Sequence, residues 1–75
     1  MAPEAVVGKV FGLDPREVSD DTSNQNVAAW DSLGHVTLVL EVEAAYGLSL
    51  STAEALEITD VASLKCLLRR RGVEW

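Results

Sequence analysis

The sequence has one cysteine, one histidine and few aromatic residues, and its basic side chains are half as numerous as its acidic ones. A single cysteine forms no internal disulfide, so nothing indicates an oxidising compartment. The cysteine and histidine spacings of a zinc site and the glycine-rich loops that bind phosphates are also missing. These absences exclude a disulfide scaffold, a structural zinc domain and a P-loop nucleotide site.

Long hydrophobic runs are absent as well. No apolar run approaches the roughly 18–20 residues that a membrane-spanning helix requires. The N-terminus lacks the charged region and the apolar region of a signal peptide. We therefore expect a cytoplasmic protein with no membrane association.

Positive charge is scarce. The 75 residues carry 12 acidic and 6 basic side chains, which gives a net charge of −6. This balance argues against nucleic-acid binding, which requires a basic surface. An acidic domain suits partners with basic docking surfaces, although solubility alone explains the charge equally well. The length is that of one small domain, residues 1–75.

Apolar residues recur at helical spacing in four segments. The pattern, together with capping residues at the ends, predicts helices over residues 3–11, 32–46, 52–57 and 60–70. No alternation of period two persists anywhere, so no strand is expected. The predicted fold is all-α: a small four-helix bundle with three longer helices and one short third helix.

The second predicted helix is the most apolar segment. At 100° per residue, its apolar side chains cover well over half of the circumference. A helix of this kind is typically packed on several sides, so we expect it to be central. Glu43 falls within the apolar arc, where it either extends to solvent or meets a polar partner.

A long polar connection, from Leu13 to Asp31, precedes this helix. Connections of such length in a small domain are usually functional or mobile. Asp20 and Asp21 suggest a divalent cation, but no ligand set of suitable spacing surrounds them, so a solvated acidic loop is the favoured interpretation.

One serine stands at the start of the second helix. Either Asp31 or Ser32 is a good N-cap, because its side-chain oxygen can accept a free N–H group of the first turn. The partial positive charge of a helix N-terminus favours an anionic group, such as a phosphate ester on Ser32.

The sequence offers little for catalysis. His35 follows Ser32 by one helical turn, but nothing in the sequence orients the imidazole and no oxyanion pocket is evident. Cys66 is expected to be a small core residue rather than a nucleophile. Trp30 is expected to be a packing anchor. We therefore do not expect an enzyme.

The segment Asp31-Ser32-Leu33 resembles the Asp-Ser-Leu motif of acyl carrier proteins. The resemblance covers nearly the whole chain, since it includes the long loop before the motif, the Tyr46-Gly47 pair that ends the second helix, and Ile58-Thr59 before the fourth. The resemblance implies one acyl carrier domain over residues 1–75.

This resemblance also implies a cofactor and partners. A phosphopantetheinyl transferase would attach 4′-phosphopantetheine from coenzyme A to Ser32, using Mg²⁺ and a base of its own. The thiol of the arm would then carry acyl groups as thioesters. Further partners would be an acyl-loading enzyme and a ketosynthase or acyltransferase, and the carrier would act as a monomer.

Family resemblance assigns the docking face to the second helix and the loop before it. The implied docking residues are Asp31, Leu33, Gly34, Thr37 and Glu41. Val36 and Leu40 are candidates for lining a groove that holds the acyl group. Packing in the protein core is an equally good explanation for these two residues.

Details of the motif are similar to free-standing carriers of secondary metabolism. Trp30 and the Gly34-His35 pair support this subgroup, which includes carriers for polyketide and antibiotic biosynthesis. Some of them carry short polar units such as glyceryl or hydroxymalonyl groups. A fatty-acid-synthesis carrier and a peptidyl carrier are alternatives within the family. An unmodified acidic helical interaction module is the alternative from another class.

Overall fold

The computed structural model describes all 75 residues and contains four α-helices and no strand. The helices are α1 (Pro3–Phe11), α2 (Ser32–Tyr46), α3 (Thr52–Glu57) and α4 (Val61–Arg70). The all-α prediction is confirmed, and the first three helices have the predicted bounds. None of the helices is long and apolar enough to cross a membrane.

Local capping residues set the helix ends. The side chain of Asp60 accepts from the backbone N–H of Ser63, so α4 begins at Val61 and not at residue 60. Ser51 and Glu54 form the predicted capping box at the start of α3. At the C-terminal ends of α1 and α2, glycines adopt the left-handed conformation that other residues rarely reach.

The core lies between α1, α4 and the inner side of α2. Helix α1 packs against both α2 and α4, and α3 packs against α4. Eleven buried apolar residues form one cluster. They are Val6, Val7, Val18, Trp30, Leu38, Val42, Ile58, Val61, Leu64, Leu67 and Leu68.

Helix α2 is not packed on several sides, so that expectation is wrong. Leu38 and Val42 are buried, but Leu33, Val36 and Leu40 are 77%, 55% and 60% exposed. We call these three residues the exposed strip. Periodicity identifies apolar faces, but it does not reveal whether another part of the chain covers each of them.

The long connection is part of the folded structure and not a free loop. The backbone N–H groups of Val61 and Ala62 donate to the carbonyls of Thr22 and Asp20, at 3.0 and 3.2 Å. The N–H of Asn24 donates to the carbonyl of Thr59 at 3.2 Å. The connection thus supplies acceptors to the first turn of α4, where N–H groups lack partners within the helix.

Asp20 has a cationic partner. Its carboxylate lies 2.7 Å from Lys65 Nζ, which also pairs with Glu4 at 2.7 Å. No group of three or more His, Cys, Asp or Glu side chains is arranged to hold a metal ion. Asp20 thus pairs with a cationic side chain of the chain itself, and Asp21 is exposed.

These ion pairs predict a loss of stability in acid. The hydrogen bond from Lys65 holds the pKa of Glu4 below its usual value of 4.5. A carboxyl group whose pKa is lower in the folded state than in the unfolded state stabilises the fold at pH values above the unfolded-state pKa. This stabilisation is lost as the pH falls through the folded-state pKa. We expect the urea midpoint to decrease between about pH 5 and pH 3.

Replacing Lys65 tests the origin of this pH dependence. Lys65→Met should cost about 0.2–1 kcal/mol per ion pair at pH 7 and should weaken the acid dependence of the urea midpoint. Arg69→Met is the matched control, because Arg69 stacks on Trp75 and forms no ion pair. An unchanged acid dependence in Lys65→Met would show that the Glu4 pair is not responsible.

Polar contacts near the C-terminal end of α2 hold the N-terminus and the segment that follows α2. The hydroxyl of Tyr46 donates to the carbonyl of Met1 at 2.8 Å, and burial raises the pKa of Tyr46 to about 12. Just beyond α4, Arg71 donates to the carbonyl of Ser49 at 3.1 Å. Glu43 has a polar partner nearby, since its carboxylate accepts from the N–H of Leu50 at 2.8 Å.

Candidate functional site

Ser32 is the first residue of α2, and its neighbour Asp31 provides the cap. Asp31 Oδ1 accepts from the backbone N–H of Gly34 at 2.8 Å. Ser32 is exposed, and its hydroxyl takes no part in the cap or in any other hydrogen bond within the chain. Of the two capping residues considered from the sequence, Asp31 therefore caps the helix and leaves the serine hydroxyl free.

The surroundings of Ser32 suit an anionic substituent. The backbone N–H groups of Ser32 and Leu33 donate to no acceptor within the chain. Such N–H groups, together with the helix dipole, favour a phosphate at this position. A phosphodiester on the Ser32 hydroxyl thus fits the start of α2.

The loop before Ser32 packs directly on the first turn of α2, at Gly34. A Cβ atom at this position would lie 2.0 Å from the carbonyl oxygen of Ala29 and 3.0 Å from the Phe11 ring. Only glycine leaves room for this approach. Phe11 stacks on Trp30 at a centroid distance of 5.1 Å, and Trp30 is 3% exposed, which confirms its prediction as a packing anchor.

His35 is held firmly, so the expectation that nothing orients it is wrong. Trp30 Nε1 lies 3.0 Å from His35 Nδ1, and His35 Nε2 lies 2.8 Å from the carbonyl oxygen of Ala55 in α3. Indole N–H only donates, so Nδ1 is the acceptor and the ring proton resides on Nε2. We call this chain of two hydrogen bonds the His35 bridge.

The His35 bridge has a chemical consequence for Ser32. Both ring nitrogens are engaged, one as acceptor and one as donor, so the imidazole has no free lone pair with which to remove a proton from the serine. The local spacing of Trp30 and His35 was visible in the sequence, but the partner on α3 lies 20 residues away.

An open cleft of about 510 Å³ adjoins Ser32. It is lined by Asn24, Trp30, Asp31, Ser32, His35, Leu56, Ile58 and Thr59. Val36 and Leu40, the groove candidates, are absent from this lining because they belong to the exposed strip. The alternative of core packing is wrong for both of them, and the apolar wall of the cleft comes from other residues.

The comparison with protein families matches residues 4–66 to the phosphopantetheine attachment site family. The chain belongs to this family of carrier domains. Its members hold a covalently attached 4′-phosphopantetheine group and carry acyl groups on it, and they are carriers, not enzymes.

Two fungal proteins contain segments similar to this carrier domain. One is the non-reducing polyketide synthase pigA of Monascus ruber, 35% identical over 69 residues, which cover 91% of the chain. The other is the clavatol synthase claF of Penicillium crustosum, 34% identical over 64 residues, or 85% of the chain. The carrier domain spans about 2% of the length of each of these proteins.

Of the docking residues expected for the carrier domain, Leu33, Thr37 and Glu41 lie along α2, Gly34 faces the preceding loop, and Asp31 precedes the helix. Leu33 is 77% exposed, and Thr37 is exposed with its hydroxyl donating to the carbonyl of Leu33 at 3.1 Å. Glu41 pairs with Lys9 at 3.1 Å. Asp31 and Gly34 have structural roles as cap and close contact. Docking by these five residues stays a prediction.

Cys66 is exposed on α4, so its prediction as a core residue is wrong. Val61, Leu64, Leu67 and Leu68 are buried as predicted, and they occupy the inner face of α4. At 100° per residue, Cys66 falls away from that face. The small size and apolar character of cysteine favour burial, but the position of Cys66 on the helix determines its exposure.

Proposed function

We propose that this carrier domain bears 4′-phosphopantetheine on Ser32 and delivers acyl thioesters between the enzymes of a polyketide pathway, as a cytoplasmic monomer. The observation that carries the proposal is the Ser32 hydroxyl, which is exposed and unpaired at the start of α2. The match to the phosphopantetheine attachment site family spans this position.

The local chemistry supports a reaction in which this chain supplies the serine and the transferase supplies the base and the metal ion. Ser32 Oγ would attack the pyrophosphate phosphorus on the pantetheine side of coenzyme A and lose its proton. The new Oγ–P bond replaces the P–O–P bond, and adenosine 3′,5′-bisphosphate leaves. Because both nitrogens of His35 are occupied, the base must come from the transferase, together with the metal ion. Once attached, the group supplies a terminal thiol that forms thioesters with acyl groups.

The intact mass of the protein tests this proposal directly. The chain would be incubated with coenzyme A, Mg²⁺ and a phosphopantetheinyl transferase of broad specificity. We expect the mass of one phosphopantetheine to be added and mapped to Ser32. If folded, unmodified protein gains no mass, the carrier proposal fails, and an unmodified helical interaction module becomes the better explanation.

A polyketide pathway is supported by the similarity to the non-reducing polyketide synthase of Monascus ruber. Partners of the loaded domain would then be an acyl-loading enzyme and a ketosynthase or acyltransferase. A short polar unit, such as a glyceryl or hydroxymalonyl group, is consistent with the polar side chains of Asn24 and Thr59 in the cleft. A fatty-acid-synthesis or peptidyl carrier remains the alternative within the family.

The proposed docking face consists of Asp31, which caps α2, and of Leu33, Gly34, Thr37 and Glu41 on that helix. It combines the exposed apolar side chain of Leu33 with the acidic side chain of Glu41. Transient partners are commonly recognised through charged contacts that accelerate association and are screened by salt.

Reversing the charge of Glu41 tests this face. Glu41→Lys should slow transfer by the transferase more at low salt than at high salt, because a basic partner would then be repelled. Glu74→Lys is the matched control, since it changes the net charge equally at an exposed site without an ion pair. Equal slowing in both variants would assign the effect to net charge and remove Glu41 from the interface.

A further inference from the structure

Several polar contacts hold helix α3 in place, in addition to the buried side chain of Ile58 that follows it. It has six residues, none of them buried, and Leu56 is 71% exposed. A helix of this length is unstable by itself, because the free-energy cost of nucleation exceeds the stabilisation from so few hydrogen bonds. Its position at the edge of the cleft therefore depends on contacts with its neighbours.

Those contacts come from two directions. From α4 and the residue after it, Arg70 pairs with Glu57, and Arg71 pairs with Glu54 at 2.9 Å. From α2, the contact is the hydrogen bond from His35 to the carbonyl oxygen of Ala55. That carbonyl also accepts from the N–H of Ile58, so it lies at the point where the helix ends.

The His35 bridge also reaches the loop before Ser32. The Trp30 and His35 rings lie edge to edge and nearly coplanar, with centroids 6.5 Å apart and 16° between their planes, and Trp30 donates to Nδ1. This contact fixes both the plane and the tautomer of the imidazole. Trp30, His35 and Ser32 all line the same cleft. One side chain thus connects the loop, the first turn of α2 and the end of α3 around the proposed attachment site.

We infer that His35 is a positioning residue, which through the His35 bridge holds α3 beside Ser32 and so maintains the surface that the transferase meets. This inference rests on the proposed function of Ser32. His35 acts on the structure around the serine and takes no proton from it. Loss of the bridge should therefore weaken recognition of the domain without changing the chemical step.

The tautomer is the first test, and it needs no transferase. His35 is the only histidine, so its ¹⁵N resonances are unambiguous. For the neutral imidazole we expect the proton on Nε2 and a non-protonated Nδ1. A dominant Nδ1–H tautomer would overturn the inference, because Trp30 could not then donate to that nitrogen.

The second test uses His35→Phe, which keeps a ring against Trp30 but removes both hydrogen bonds. Amide exchange at Leu56, Glu57 and Ile58 should accelerate by about two- to tenfold, the factor that corresponds to one net hydrogen bond. The KM of the transferase for the carrier should rise by a similar factor while kcat stays within about twofold.

Tyr46→Phe is the matched control, because it removes a hydrogen bond to a backbone carbonyl at the other end of α2. It should leave α3 exchange and KM unchanged. Unchanged α3 exchange or unchanged KM in His35→Phe would overturn the inference. If wild-type protein is not loaded at all, the proposed function fails instead, while the tautomer and exchange results still decide whether His35 holds α3.

Discussion

Ser32→Ala should abolish loading with phosphopantetheine while leaving the fold intact. The variant removes the one hydroxyl that we propose as the attachment site, so no mass should be added under conditions that load the wild type fully. Asp31, not Ser32, caps α2. The free energy of unfolding should therefore change by no more than about 0.5 kcal/mol, as for other surface substitutions.

Two measurements separate a chemical role of Ser32 from a structural one. Intact mass spectrometry reports loading, and thermal unfolding followed by circular dichroism reports the fold. Ser49→Ala is the matched control, because Ser49 is an exposed serine near the opposite end of α2. It should load like the wild type. Addition of phosphopantetheine to Ser32→Ala would place the attachment site on another residue.

Gly34→Ala should destabilise the domain strongly, although alanine has a higher helix propensity than glycine. In an ordinary helix, alanine is favoured over glycine by about 1 kcal/mol. Here the new Cβ would meet the carbonyl oxygen of Ala29 at 2.0 Å, so the loop must move. We expect a net loss of about 1–3 kcal/mol, the usual cost of overpacking.

Such a loss is large for a domain of this size, whose core supplies only about 3–5 kcal/mol. Urea unfolding would measure it, with Thr37→Ala as a control one turn further along the exposed side of the same helix. Displacement of Ala29 and Trp30 should also slow the loading of Ser32. A variant more stable than the wild type would mean that propensity outweighs the close contact.

The helix bounds were predictable because their determinants are local. Asp31, Ser51 and Asp60 each precede a helix as an N-cap, and Gly47 follows α2 with a φ angle of 65°. Each of these signals involves residues within one turn of the helix end. No knowledge of the tertiary arrangement was required, which explains why the predicted and observed bounds agree so closely.

The candidate site was predictable only in part, because its geometry depends on contacts between distant residues. Ser32 could be singled out from its place before an apolar helix. The hydrogen bond between His35 and Ala55, and the contact between Gly34 and Ala29, depend on how the loop and α3 pack on α2. Exposure of Cys66 is also a matter of which helix face turns inward, and residue type alone does not determine it.

The position of the N-terminus determines how the domain would move if it were tethered there. Met1 lies beside the C-terminal end of α2, and Ser32 begins the same helix. Fifteen residues of helix separate the two ends by about 22 Å. A flexible linker at the N-terminus would hold the domain at the end of α2 remote from Ser32. If the domain pivoted about that attachment, Ser32 would move along an arc with a radius of about 22 Å. This motion would add to the reach of the phosphopantetheine arm. The linker would also stay away from the outer face of α2.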